Sequence, residues 1–205
     1  DSDANGAGKI AIASSSTFTS SGGSITMAGG ADDGSSTIQS GRISGDALPD
    51  GYAGGNGSTT GCGDLAGVNL GTTTTINSAN GAVFIAGKGL SGATANCSAG
   101  IMVGQDLLVK AGSGKIGMFG VANAAASSTY SNGIGFSGNT SRKTIISSSN
   151  SADDAIVISG NAGPTASIRS AGVFFHGQTA GANVNNIVAN TGSGGIQLTG
   201  RSVPT

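Results

Sequence analysis

Residues 81–87 read Gly-Ala-Val-Phe-Ile-Ala-Gly, a short run of β-forming and apolar residues enclosed by glycines. Phrases of the same kind recur at 100–104, 114–120, 133–138, 172–177 and 194–200. From Val83 to Ile196, the apolar residue that starts each such strand returns on average about every nineteen residues. A short phrase that recurs along a chain indicates a solenoid, in which each repeat buries its apolar face against the next one.

The composition favours β structure and argues against a helical protein. Of the 205 residues, 39 are glycine and only 9% are charged. Glycine is a poor helix former, and serine, threonine, asparagine and aspartate compete with the helical backbone for hydrogen bonds. The hydrophobic residues make up 37% of the chain and fall into short runs rich in β-branched side chains. Such runs argue against a disordered chain.

The charge balance gives no reason to expect nucleic acid or a membrane as a partner. The formal net charge is -1, whereas both partners attract clusters of Lys and Arg. No apolar run approaches the length of a membrane-spanning helix. We therefore predict neither nucleic-acid binding nor membrane insertion.

Taken with the spacing, the composition predicts an all-β protein, a single-stranded right-handed parallel β-helix. With one coil per phrase, residues 1–205 form one domain of about ten coils. Equivalent strands of successive coils then pair in parallel at about 4.8 Å. Glycine, asparagine and serine suit the corners, where the chain turns tightly. The spacing of four phenylalanines also predicts that they stack in one interior column, with chance placement as the alternative: Phe84, Phe119, Phe136 and Phe175.

Regularity fails at residues 45–67, which we interpret as a loop excursion because glycine clusters there around Pro49 without a strand-like apolar pair. Cys62 lies in this interval, and the other cysteine, Cys97, follows it by close to two predicted coils. Stacked two coils apart, they would be about 9.6 Å from each other, beyond disulfide reach. A bridge, which we predict, therefore requires the loop to fold back onto the rod. Two free buried thiols in a reducing compartment are the alternative.

The motifs that suggest catalysis lack the context that catalysis needs. Residues 87–92 match a dinucleotide-binding fingerprint, but no helix pattern follows them, and residues 112–115 begin a P-loop that Ile116 breaks. His176 is the only histidine, and no nucleophile elbow accompanies it. It is better interpreted as structural or solvent-facing. We predict no enzyme, no catalytic residue, no cofactor and no metal.

Two other classes of function stay open at this point. A polysaccharide-degrading β-helix would group several aspartates with a Lys or Arg in one groove, and Asp46, Asp50 and Asp64 could instead meet at a cation. An ice-binding β-solenoid would present threonines in ranks on one flat face. The sequence has Thr72 to Thr75 and a Thr17-Phe18-Thr19 run, but no such motif recurs once per coil.

Residues 74–87, together with the later glycine-flanked phrases, resemble the coils of filamentous-haemagglutinin-type exoproteins, the large adhesins of bacterial two-partner secretion systems. The resemblance covers about residues 68–200 and, more loosely, 8–44. The chain departs from it in having two cysteines and in the loop at 45–67. What the resemblance implies is an extracellular rod, secreted or on the bacterial surface. Its partners would be a host or matrix glycan, a protein receptor, or like subunits in a fibre.

The predicted contact surface of this rod is the loop excursion. Asp50, Tyr52 and Asn56 lie in it, and Tyr130 lies in a second, milder interruption at 122–132. Both tyrosines are expected to be exposed. Neither end of the chain carries an obvious capping helix, so we expect either further chain beyond the ends or subunits that stack end to end.

Overall fold

The structure is a computed structural model that describes residues 8–29, 52–55, 65–90, 97–122, 130–137, 143–163, 169–176 and 185–202. Within these ranges the chain forms strands and turns, without a helix. The strands are β1 (Ile10–Ile12), β2 (Thr17–Thr19), β3 (Ile25–Met27), β4 (Ala53–Gly54), β5 (Val68–Leu70), β6 (Thr75–Asn77), β7 (Val83–Lys88), β8 (Cys97–Val103), β9 (Leu108–Lys110), β10 (Ile116–Val121), β11 (Tyr130–Phe136), β12 (Lys143–Ser148), β13 (Ile156–Asn161), β14 (Arg169–Phe175), β15 (Asn185–Asn190) and β16 (Ile196–Arg201).

These strands form three parallel sheets that the chain visits in turn. Sheet A has the order β1-β5-β8-β11-β14, sheet B the order β2-β6-β9-β12-β15, and sheet C the order β3-β7-β10-β13-β16. One strand from each sheet makes one coil, and each strand pairs in parallel with its equivalent in the next coil. The prediction of an all-β fold built from stacked parallel strands is confirmed, and the fold is solenoid-like.

The predicted coil length is wrong by a factor of two. Ile116 in sheet C pairs with Val83 of the coil before it and with Ile156 of the coil after it, and both partners lie about twice as far along the chain as the predicted repeat. The intervening phrases at Ile101 and Ile134 pair with each other in sheet A. The glycine-flanked phrase therefore occurs twice per coil, once in each of two sheets. As a result, the described residues build five coils and not about ten.

The interior is a set of apolar columns that run through all five coils. Because side chains of a strand alternate between its two faces, every second residue of each strand points inward. In sheet A one column is Ile10, Val68, Ile101, Ile134 and Val173. In sheet C one column is Met27, Ile85, Met118, Ile158 and Leu198. The members from the three middle coils are fully buried, so removal of apolar surface from water stabilises the stack.

The predicted single column of phenylalanines is only half right. Phe136 and Phe175 stack in the interior of sheet A, with ring centroids 4.5 Å apart and planes 9° from parallel. Phe84 and Phe119 instead lie on the opposite face of sheet C from the buried Val83 and Ile85, and belong to a second apolar cluster. The sequence spacing could not separate these two pairs of phenylalanines, because the strands of sheets A and C carry the same glycine-flanked phrase.

Glycines line the place where sheets A and C meet. We call this the glycine seam, and its members are Gly87, Gly120 and Gly160 of sheet C and Gly100, Gly133 and Gly172 of sheet A. A Cβ atom added to Gly120 would collide with the carbonyl oxygen of Gly133, and one on Gly160 with that of Gly172. The obstacle is backbone and cannot swing aside. The glycines that enclose the phrases are therefore required by contact between sheets and not only by tight corners.

The corners use polar side chains, and these include threonine and aspartate as well as the predicted serine and asparagine. Between sheets A and B, equivalent positions of three coils adopt the left-handed conformation at Ser15, Thr73 and Asp106, with φ of 63°, 61° and 58°. Between sheets B and C, the side-chain amide of Asn150 donates to the backbone carbonyl of Ser113 at 2.6 Å. The side-chain amide of Asn190 donates in the same way to the backbone carbonyl of Asn150 at 2.9 Å. These bonds link successive coils where no strand pairing is available.

Part of the interval predicted as a loop at 45–67 lies against the solenoid. Strand β4 pairs with the last residues of β7, Ala53 with Gly87 and Gly54 with Lys88, while β3 pairs with the first three residues of β7. Leu65 and Ala66 are fully buried. Residues 45–51 and 56–64 lie outside the described residues. The excursion thus returns to sheet C before the second coil begins at β5.

We expect Gly120→Ala to destabilise the fold by about 3 kcal/mol, because the added methyl overpacks a site closed by backbone. The matched control is Gly135→Ala, also in a strand, where the new Cβ would stand 3.2 Å from the flexible Met102 side chain. Chemical denaturation monitored by circular dichroism measures both. Equal midpoints for the two variants would contradict the seam.

Candidate functional site

In its three middle coils the outer face of sheet C is buried, whereas the aligned outward residues of the first and last coils, Thr26 and Gln197, are exposed. Phe84, Phe119 and Val157 on this face are almost inaccessible and form one cluster with Tyr52, which is only 2% exposed. The prediction that Tyr52 is exposed in a contact loop is therefore wrong. Its ring is held by the hydrophobic effect against an apolar sheet face that the sequence pattern did not distinguish from the core.

The other predicted contact and disulfide residues are only partly within the described structure. Asp50, Asn56 and Cys62 lie outside the described residues. Tyr130 is the first residue of β11, where its backbone is in register with Cys97 of β8. The interruption predicted at 122–132 thus ends in a strand. The contact role of Asp50, Asn56 and Tyr130 and the Cys62–Cys97 bridge stay predictions.

The outer face of sheet B carries no repeating threonine. Its first outward column reads Thr17, Thr75, Leu108, Ile145 and Ile187 through the five coils. The second reads Thr19, Asn77, Lys110, Ser147 and Ala189. Threonine occupies a coil or two and then gives way to aliphatic or charged side chains. The regular array that an ice-binding face requires is not present on this sheet.

The outer face of sheet A carries an aromatic strip, which we define as Met102, Gly135, Phe174 and His176. Met102, Gly135 and Phe174 are aligned across three successive strands. The rings of Phe174 and His176 have centroids 5.6 Å apart and are tilted by 50°. Both side chains are half-buried. Gly135 contributes no side chain and is itself buried, and the Met102 sulfur lies 3.2 Å from where a Cβ on Gly135 would stand.

This strip combines an apolar ring face with the polar nitrogens of an imidazole. Aromatic side chains provide a large contact area, and histidine can donate or accept hydrogen bonds. The amide N–H of His176 donates to the carbonyl of Phe136 at 2.9 Å, which fixes the backbone under the ring. The sequence identified His176 as structural or solvent-facing but not as part of a strip, because the strip appears only when equivalent strands of successive coils are aligned.

A buried ion pair joins the third and fourth coils. The Lys115 Nζ lies 3.0 Å from an Asp154 carboxylate oxygen, and the two side chains are 10% and 11% exposed. Lys115 directly precedes β10 and Asp154 lies shortly before β13, so the pair bridges neighbouring turns between sheets B and C. An ion pair between neighbouring coils stabilises the stacking of the fourth coil on the third.

Within the described ranges, no group of three or more His, Cys, Asp or Glu side chains is arranged to hold a metal. Another aspartate, Asp106, accepts the Lys143 amide N–H at 2.9 Å and so also ties one coil to the next. Asp46, Asp50 and Asp64 lie outside the described residues. The structure, where described, also contains no helix that is long and apolar enough to cross a membrane.

The described residues form a solenoid-like stack of three parallel sheets, in which the outer face of sheet C is covered in its three middle coils. No protein-family model matches the sequence, and neither the curated proteins nor the solved structures contain a match.

We expect Tyr52→Ala to lower the free energy of unfolding by about 3 kcal/mol, because it empties a buried aromatic site. Tyr52→Phe keeps the ring and serves as the matched control, with a much smaller loss. Urea denaturation measures both variants. An unchanged midpoint for Tyr52→Ala would mean that the ring does not support the outer face of sheet C.

Removing one member of the ion pair should destabilise the fold more than removing both. Lys115→Met leaves the Asp154 carboxylate without its lysine, at a cost of about 3 kcal/mol. The double variant Lys115→Met/Asp154→Leu should recover most of that loss, and Lys143→Met, at an exposed lysine, should change little. Denaturation midpoints test this order. Equal losses in the single and double variants would contradict a structural ion pair.

Proposed function

We propose that this chain is a structural and adhesive segment of an extracellular bacterial surface or matrix protein. It acts as a rod-like spacer or mediates attachment, and it is not an enzyme. The observation that carries the proposal is the coil-to-coil register, in which equivalent strands of successive coils pair along one axis. Such a stack extends in one direction and leaves its outer faces free to vary without affecting the core.

The finer features of the rod are part of the same proposal. The coil is right-handed, because parallel strands joined by a crossover connection are right-handed in nearly all known cases. The protein belongs with the filamentous-haemagglutinin-like exoproteins, as the resemblance of residues 74–87 implies. An extracellular location also suits a Cys62–Cys97 bridge, since disulfides persist in oxidising environments.

The aromatic strip on sheet A is the surface that we propose for the receptor. Phe174 and His176 are half-buried, so they are held in place yet reachable. A glycan ring or an apolar peptide side chain could lie on the phenyl face while the imidazole binds a hydroxyl or carbonyl group. The partner is a host or matrix glycan or a protein. The three middle coils of sheet C offer no equivalent, because their outer face is already covered.

Two observations make the other classes of function less favourable. A polysaccharide-degrading enzyme needs several carboxylates that reach substrate together. Of the three aspartates in the described ranges, Asp154 is engaged with Lys115, Asp106 accepts the Lys143 amide N–H, and only Asp153 is exposed. An ice-binding face needs threonine in ranks, whereas the outer columns of sheet B change from threonine to leucine and isoleucine.

We expect the purified chain to bind members of a glycan and matrix-protein array, and Phe174→Ala to weaken this binding about tenfold or more, as the loss of a central aromatic contact does. Lys110→Ala, on the exposed side of sheet B, is the control and should bind as the unmodified chain does. Circular dichroism confirms that both variants fold. Equal weakening by both substitutions would remove the strip from the proposal.

The same preparation distinguishes the other classes. Incubation with a panel of polysaccharides should release no new reducing ends, and ice recrystallisation should proceed as in buffer. Release of saccharide products that persists through purification would favour the enzyme, and arrested ice growth would favour an ice-binding protein.

A further inference from the structure

Strand β11 bends sharply between Asn132 and Gly135. The Cβ atom and the side-chain nitrogen of Asn132 lie 3.8 Å and 3.6 Å from the place where a Cβ on Gly135 would stand. In a regular strand, residues three apart are about 10 Å from each other and point to opposite faces. Here the two positions point into the same space, so they face each other across the inside of the bend.

The inside of this bend faces away from the core. Ile134, next to Gly135, belongs to the main core cluster, so the neighbouring position points outward. On the other limb of the bend, the hydroxyl of Ser131 accepts the Gly163 amide N–H at 3.0 Å and thus points toward the chain that leaves sheet C. Asn132, the next residue, points to the opposite side. The bend therefore forms a concave surface on the outside of the solenoid.

The bend continues through the neighbouring coils as a groove. Both limbs of β11 pair in parallel with β8 on one side and with β14 on the other. We call the concave surface across these three strands the sheet A groove. Its members are Ala99, Asn132 and Ala171 on one wall and Met102, Gly135 and Phe174 on the other. Since alanines flank it on both sides, Asn132 carries the polar side chain of its wall.

The groove offers a flat apolar face with hydrogen-bonding groups beside it. Phe174 and Asn132 lie on opposite walls in adjacent strands, and the His176 ring has its centroid 5.6 Å from that of Phe174. All three residues are half-buried, so they are held in place and still reached by solvent. A carboxamide and a neutral imidazole can each both donate and accept hydrogen bonds. Sugar hydroxyls do the same, and the C–H face of a pyranose ring packs on an aromatic ring.

An extended peptide fits this groove less well than a glycan. Such peptides gain affinity mainly by hydrogen bonding their backbone to the free edge of a sheet. Strand β11 is paired on both sides, so it presents no free edge in the groove. The groove also runs across the strands and not along them. Recognition there depends on side chains, which suits a ligand that carries its hydrogen-bonding groups around a ring.

The groove is nearly without charge. Strands β8, β11 and β14 together contain one charged residue, Arg169, which begins β14 and precedes the bend. Several carboxylate or sulfate groups of an acidic glycan would lose water here without gaining cationic partners from these strands, and such a loss costs free energy. An uncharged glycan avoids this cost.

We propose that the sheet A groove binds an uncharged glycan, with one pyranose ring on Phe174 and its hydroxyl groups hydrogen-bonded to Asn132 and His176. The proposal rests on the adhesive function proposed above, names the class of its receptor and adds Asn132 to the residues that bind it. A glycan chain that follows the groove would extend from Phe174 toward Met102, two strands away.

The test is isothermal titration calorimetry with neutral hexose and N-acetylhexosamine oligosaccharides, and with sialylated and sulfated ones alongside. Asn132→Leu keeps the shape of the side chain but removes its hydrogen-bonding groups, and should weaken binding of the neutral sugars about tenfold. Gln197→Met makes the matching change to an exposed amide of sheet C and should bind as the unmodified chain does. Affinity should persist at about 1 M salt, which screens charges beyond about 3 Å.

A second variant keeps the test decisive. His176→Ala should also weaken binding about tenfold, and circular dichroism checks that each variant folds. Binding of acidic glycans alone, loss of affinity at high salt, or folded variants of Asn132 and His176 that bind as the unmodified chain does would overturn the proposal. A chain that binds matrix proteins but no glycan would overturn it and leave the adhesive function in place. A chain that binds neither would overturn both.

Discussion

Along the glycine seam the backbones of sheets A and C touch directly, and the cross-section of the coils that it joins depends on this contact. Gly100 of one sheet and Gly87 of the other leave no room for a Cβ atom. With the two sheets held this closely, sheet B completes a narrow core that inward side chains fill. Coils can then differ in length, since the interval from Val83 to Ile116 is shorter than that from Ile116 to Ile156. The additional residues enter between the strands and leave the register intact.

The architecture separates what is constant from what varies. The central inward column of each sheet stays apolar through all five coils, whereas the outer column of sheet B changes from Thr17 to Ile187. Stability therefore resides in the stack, and recognition can reside in whichever outer face is open. The outer face of sheet C is covered in its middle coils, whereas sheet A carries the half-buried aromatic strip.

Sequence reasoning predicted the parallel stack but not its period. The glycine-flanked phrase indicated strands correctly, yet Ile101 and Ile116 carry the same phrase in different sheets, and nothing local distinguishes them. Burial of Tyr52 was missed for a related reason, since apolar residues on both faces of β7 do not reveal which outer face is covered. The aromatic strip could be recognised only after the register of the strands in sheet A was known. Whether Cys62 is bridged to Cys97 could not be predicted, because no pattern in the sequence indicates how the segment around Cys62 pairs.

The most direct measurement of the coil register is detection of scalar couplings through backbone hydrogen bonds by nuclear magnetic resonance. The account predicts a coupling from the Val83 amide nitrogen to the Lys115 carbonyl carbon, and another from Ile116 to Ala155. Both connect positions one full coil apart along sheet C. Couplings at half that separation, or an antiparallel pattern, would contradict the three-sheet coil and with it the glycine seam.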